Sequence, residues 1–87
     1  MNRARRFYTN YNPLGSPQEN LNLGLDSLHE VSIELFKIKN IIMCKLKEGQ
    51  PLNIDIIEYY NDLRHVKIGI ASVVERLSEL VEEERVE

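Results

Sequence analysis

The sequence has few of the features that would define a disulfide-rich, membrane-spanning or nucleotide-binding protein. Cys44 is the only cysteine, so an internal disulfide is impossible and a reducing compartment is favoured. The longest strongly apolar run, Ile41–Cys44, is far too short to span a bilayer. There is no tryptophan and no glycine-rich phosphate loop. We therefore expect a cytoplasmic protein with no membrane segment, cofactor or small-molecule substrate.

Helix signals divide the chain into an irregular arm over residues 1–15 and a helical hairpin over residues 16–87. The arm shows no helical or strand period, and it contains a proline and a glycine. Ser16, with a proline after it and a glutamate at the third following position, has the pattern of a helix N-cap. Ser27 has a competing pattern. We favour the start at Ser16, and the sequence alone leaves Ser27 open.

The end of the first helix and the start of the second are marked by Gly49 and Asn53. Glycine is the preferred residue just beyond a helix C-terminus, and asparagine is a good N-cap. The sequence therefore predicts helices over about 17–48 and 54–84 and a turn over about 49–53.

Apolar residues recur along both predicted helices at alternating spacings of three and four, which is typical of a coiled-coil seam. The seam positions of the second helix are Ile56, Tyr59, Leu63, Val66, Ile70, Val73, Leu77 and Leu80. Those of the first are Leu21, Gly24, Leu28, Val31, Leu35, Ile38, Ile42 and Lys45. Across a short turn the two seams register with each other. This predicts an all-α fold, an antiparallel, coiled-coil-like two-helix hairpin.

A second apolar stripe runs beside the seam, at heptad positions b and e. In an antiparallel pair the e positions of the two helices face each other, so both halves of the stripe fall on one side of the hairpin. We call these residues the second stripe and predict them as a partner interface: Leu25, Phe36, Met43, Leu46, Ile57, Tyr60, Ala71, Val74 and Val81. The other side, at positions c and g, is mainly charged and is expected to face solvent.

The second stripe has no neighbour within a two-helix hairpin, and a hairpin with so small a core is expected to need it covered. Dimerisation into a four-helix bundle is the arrangement we favour. Docking onto a different protein is the first alternative. Folding of the arm residues Phe7, Tyr8 and Tyr11 onto the stripe is the second.

Groups for catalysis or metal binding do not converge in this arrangement. Asp26 with His29, and Asp62 with His65, have the spacing of carboxylate–histidine metal pairs, but the two histidines fall on opposite sides of the hairpin. Cys44 has no nearby histidine in the heptad assignment, so we expect an inert thiol. The sequence predicts no catalytic residues and no metal ligands, and hence a protein that is not an enzyme.

The arm has the composition of a weak nucleic-acid contact. Arg3, Arg5 and Arg6 stand near Tyr8 and Tyr11, and such side chains grip phosphates and stack on bases. The chain beyond the arm opposes this use, because it carries all 14 acidic and only 8 of the 11 basic residues, a balance of −6. An arm that pairs with the acidic C-terminal segment, or that stays disordered, is the alternative.

These patterns together predict a non-enzymatic helical protein–protein interaction module. It would act as a homodimer or as a small accessory or adaptor subunit of a larger assembly. The alternative function is a nucleic-acid-associated accessory protein that uses the arm. The residue pattern names neither the partner nor the process.

Overall fold

The computed structural model describes Phe7 and residues 12–86, apart from the side chain of Val86. The described residues form two packed α-helices, α1 over Pro17–Lys47 and α2 over Ile54–Val86. Residues 48–53 join them, and so short a connection makes the helices antiparallel. The chain measures 58 × 25 × 14 Å, so it is one helix thick, since a helix with its side chains is about 10–12 Å across.

Side-chain caps fix the starts of both helices. Ser16 Oγ accepts a hydrogen bond from the Glu19 amide at 3.2 Å, and α1 continues through Ser27 without a break. The start at Ser16 is therefore correct and the competing start at Ser27 is not used. At α2, Asn53 Oδ1 accepts from the Asp55 amide at 2.8 Å. Each cap satisfies an amide that has no partner within its own helix.

The turn between the helices begins with a left-handed glycine. Gly49 has a φ of 70°. Its amide donates to the Leu46 carbonyl at 3.2 Å, and the Gln50 amide donates to the Lys45 carbonyl at 2.9 Å. This pair of bonds is the Schellman motif, which closes a helix by satisfying its last carbonyls. A side chain at Gly49 would strain this backbone conformation.

The core lies between the helices, along the middle of the predicted seam. Its buried members from the helices are Val31, Leu63, Val66 and Ile70, and each exposes at most 2% of its surface. Half-buried seam residues pack against them: Leu28, Leu35, Ile38 and Tyr59. In this part of the hairpin the seam prediction is confirmed.

Toward the open end of the hairpin, α2 buries the seam residue Leu77 as predicted, but two of its other predicted seam residues are exposed. Val73 and Leu80, both predicted seam residues, are exposed at 42% and 37%. Val74 is half-buried instead, and Val81, eleven residues after Ile70, is buried. A straight helix of about 3.6 residues per turn returns to the same direction after about eleven residues, whereas a 3.5-residue repeat returns after seven. The seam prediction is wrong at Val73 and Leu80, where the buried row includes Val74 and Val81, one residue later in each case, as an eleven-residue spacing allows.

A buried asparagine fastens the segment before α1 to the helix. Asn20 exposes 2% of its surface. Its Oδ1 accepts from the Asn12 amide at 2.9 Å, and its Nδ2 donates to the Asn12 carbonyl at 2.9 Å. Nδ2 also donates to the Ser16 carbonyl at 3.3 Å. Buried polar groups need such partners, so Asn20 both satisfies itself and holds the chain that leads into α1.

One residue of the predicted arm belongs to the core. Phe7 is 7% exposed and lies in the same cluster as Val31, Leu63, Val66 and Ile70. The chain before α1 therefore adds an aromatic ring to a core that the two helices build. Tyr8 and Tyr11, the other two aromatic residues for which folding back was the alternative, lie outside the described residues.

Candidate protein-binding surface

Most of the second stripe is exposed on the surface of the hairpin. Phe36 exposes 65% of its surface, Leu46 61% and Met43 54%. Tyr60 is half-buried. The remaining exposed members of the stripe are Leu25, Ile57 and Ala71. The helices therefore carry a broad apolar surface directly beside a closed core.

Two predicted members of the second stripe are interior residues instead. Val74 is half-buried and packs against the core cluster, and Val81 is 8% exposed. Both positions were assigned to the partner interface on a 3.5-residue repeat. The buried row of α2 includes them near the open end, where Val73 and Leu80 are exposed instead. The candidate surface is shorter at that end than the sequence predicted.

The middle of the second stripe forms an open groove between the helices, with a volume of about 520 Å³. Its lining residues are Ser32, Leu35, Phe36, Lys39, Tyr60, Arg64, Lys67, Ile68 and Ala71. Both helices contribute, so the structure brings the b and e positions of α1 and α2 to one side, as predicted. The buried ring of Phe7 is not among the lining residues.

The groove is cationic as well as apolar. Lys39, Arg64 and Lys67 line it, and none of its lining residues is acidic. Long basic side chains cover apolar surface with their methylene stems while their charges stay in water. Together with the rings of Phe36 and Tyr60, they give the mixture of aromatic and basic groups that protein interfaces favour. The groove therefore suits an apolar surface that carries negative charge.

The same surface becomes acidic toward the open end of the hairpin. Ile68 and Ala71 line the groove, and the exposed Glu75 lies one turn further along this face of α2. Two turns beyond it, Glu82 pairs with Arg85 at 3.9 Å, an exposed contact within one helix. The charge along this side of the hairpin therefore changes sign from the turn to the open end.

The residues considered for chemistry are dispersed on the surface. His29 and His65 are both exposed, and Cys44 is a free, exposed thiol. Within Phe7 and residues 12–86, no cluster of three or more histidine, cysteine or acidic side chains is placed to hold a metal ion. Neither of the two described helices combines the length and apolarity that crossing a bilayer requires.

The predicted nucleic-acid contacts belong to the chain before α1. They are Arg3, Arg5, Arg6, Tyr8 and Tyr11, and all five lie outside the described residues. The cations of the groove are a separate group, which lies on the hairpin itself and not on the arm.

Comparison with protein-family models, with curated proteins and with solved structures finds no match for this chain.

Proposed function

We propose that this chain is a non-enzymatic, cytoplasmic protein–protein interaction module whose second stripe is covered by helices of a partner protein. The observation that carries the proposal is the exposure of Phe36, Met43 and Leu46 on one side of the hairpin. Large contiguous apolar patches are rare on soluble monomers, and they mark interaction sites. The single cysteine supports the location, because it excludes an internal disulfide, and structural disulfides are typical of oxidising compartments.

The shape of the surface favours a helical partner. The hairpin is a single layer of helices, and a second layer placed on the groove would complete a four-helix bundle. An apolar helix face laid in a groove between two helices is a common recognition mode. Burying a side chain such as Phe36 contributes about 1.5–3 kcal/mol, so a few such residues supply most of the favourable free energy of association.

A nucleic-acid function that uses the arm stays a prediction. Its five contact residues lie outside the described part of the chain. The groove cations do not favour it either, because the acidic Glu75 follows them on the same face and would repel a phosphate backbone.

The size of the protein in an extract of its native cell tests the proposal. A tagged wild-type chain is expected to elute as an assembly larger than the monomer, and Phe36→Glu at the monomer size, because a buried interface would have to accept a carboxylate. Ile41→Glu is the matched control: it makes the same kind of change at an exposed apolar residue outside the second stripe.

Two outcomes of that experiment would contradict the proposal. One is a wild-type chain that elutes at the monomer size. The other is an assembly that Ile41→Glu disrupts as strongly as Phe36→Glu does. Circular dichroism of each variant checks that the hairpin is still folded.

A further inference from the structure

We infer that the groove is occupied by a second copy of this chain, arranged antiparallel to the first about a two-fold axis near Ser32 and Ala71. The inference rests on the proposed function and names its partner. In this dimer α1 packs against α1 and α2 packs against α2. The turn of each hairpin then lies beside the open end of the other.

The charge pattern of the surface is complementary to itself in this arrangement only. Arg64 lies seven residues before Ala71, which lines the groove, and Glu75 lies four residues after it. The point midway between them falls between Gly69 and Ile70, about 2 Å along the helix from Ala71. A two-fold axis perpendicular to the helices therefore places Arg64 of one chain beside Glu75 of the other, and the reverse pair forms by symmetry. A parallel dimer would instead place the cationic halves of both grooves against each other, which opposes association.

The residues at the proposed axis permit a close approach of the two chains. Ser32 on α1 and Ala71 on α2 are the smallest side chains that line the groove. Large apolar residues stand beside them, Phe36 on α1 and Ile68 on α2. Small side chains at the crossing point, with larger ones around them, let helix layers interdigitate.

The available area is sufficient for a stable dimer. α1 has 31 residues. Two such helices side by side present a face of about 45 × 20 Å, or roughly 900 Å², by helix rise and diameter. Specific protein–protein interfaces bury about 800 Å² on each partner, so the face is large enough.

Charge reversal on the purified full chain tests the pairing. The wild type is expected to sediment as a dimer. Arg64→Glu and Glu75→Arg each place like charges together twice in the dimer, and each should raise its dissociation constant by about tenfold. The double variant restores opposite charges, and its dissociation constant is expected to return close to that of the wild type.

Arg76→Glu is the matched control for these variants. It makes the same reversal as Arg64→Glu at an exposed residue that does not line the groove, so it should leave the dissociation constant unchanged. The inference is overturned by a wild-type chain that stays monomeric up to high concentration. It is also overturned by a double variant that dimerises no better than its two single variants.

Cross-linking tests the direction of the two chains. In a Cys44→Ser background, Ile57→Cys and Glu82→Cys each carry one thiol on α2, and the two positions lie about 37 Å apart within a chain by helix rise. When the two variants are mixed, a short bis-maleimide should join position 57 of one chain to position 82 of the other. A 57-to-57 product from the first variant alone would show a parallel dimer and overturn the inference.

The failure of this inference can be distinguished from the failure of the proposed function. A pure chain that stays monomeric, together with a Phe36-dependent assembly in the cell extract, would assign the groove to a different protein. In that case the proposed function as an interaction module is retained, and the inference that the partner is a second copy of this chain is wrong. Loss of the Phe36 dependence in the extract would remove the proposed function itself.

Discussion

Val31 and Phe36 lie only five residues apart on α1, and their surroundings are opposite. Val31 is fully buried in the seam, whereas Phe36 in the second stripe is mostly exposed. Both residues are apolar, and both belong to rows with a helical period. The difference between them shows that a helical period of apolar residues creates an apolar face on the helix. Whether that face is buried depends on a neighbouring element that packs against it. Among the described residues, the two helices supply that neighbour for the seam, and most of the second stripe is exposed.

The largest expected effect comes from shortening a seam residue. Leu63→Ala should lower the free energy of unfolding by about 2–5 kcal/mol, because it opens a cavity in a fully buried site. Phe36→Ala should cost less than about 1 kcal/mol in dilute solution, where the second stripe stays wet. Urea denaturation of both variants measures this contrast. If both variants lose the same free energy of unfolding at low protein concentration, the seam and the second stripe do not differ in burial.

Phe7 tests whether the chain before α1 belongs with the seam. Phe7→Ala should lower the free energy of unfolding by about 3 kcal/mol, since its ring is buried in the core cluster. Phe7→Leu, which keeps most of the apolar volume, should cost less than half as much. Thermal unfolding of the two variants gives the comparison. If the alanine variant is as stable as the wild type, the ring of Phe7 does not contribute to the core.

Asn20 should give a smaller effect than either core residue. Asn20→Ala is expected to cost about 1–3 kcal/mol, because it removes three hydrogen bonds that a buried side chain makes to the backbone of Asn12 and Ser16. Asn22→Ala is the control: it removes only an exposed hydrogen bond from Gln18 Nε2 to Asn22 Oδ1 at 3.1 Å. Denaturation of the pair should show a clear loss for Asn20 alone. Equal, small losses would contradict the role of Asn20 as a fastener.

Among the positions expected to destabilise the hairpin clearly, the smallest effect is at the turn that brings the seams together. Gly49→Ala should cost about 1 kcal/mol, because an L-residue is strained at a φ of 70° although the space around it is empty. Gln50→Ala, at a position with no such conformation, should be close to neutral. Thermal unfolding at one protein concentration measures both. A gain in stability on Gly49→Ala would contradict the left-handed turn.

The sequence was most informative where structure depends on neighbouring residues. Ser16, Gly49 and Asn53 act on the backbone within a few residues of themselves, so their patterns predicted the helix ends correctly. The central seam was equally accessible, because its period is regular. The sequence did not predict that Val74 would be more buried than its neighbour Val73. Over two or three turns, helical periods of 3.5 and 3.6 residues differ by less than one residue, and the packing of the whole helix decides which of two adjacent residues faces the core.

Contacts between distant parts of the chain left weaker signals in the sequence. Asn20 looks like a poor helix former, and only its hydrogen bonds to Asn12 explain it. The cationic groove was partly visible, since Arg64 and Lys67 occupy b and e positions. The structure was needed to show that these two side chains line one groove together with Lys39 from the other helix.

Hydroxyl-radical footprinting of the assembly recovered from the cell tests the central claim most directly, because it reports which side chains are wet. Leu14 and Leu63 serve as the exposed and buried references. The account predicts that Phe36 and Met43 are protected in the assembly. Both should become reactive when the dilute wild-type chain is labelled, and Met43 should also become reactive in the Phe36→Glu variant. If Phe36 and Met43 in the wild-type assembly react as fast as their exposure in the lone hairpin implies, the second stripe is not a binding surface.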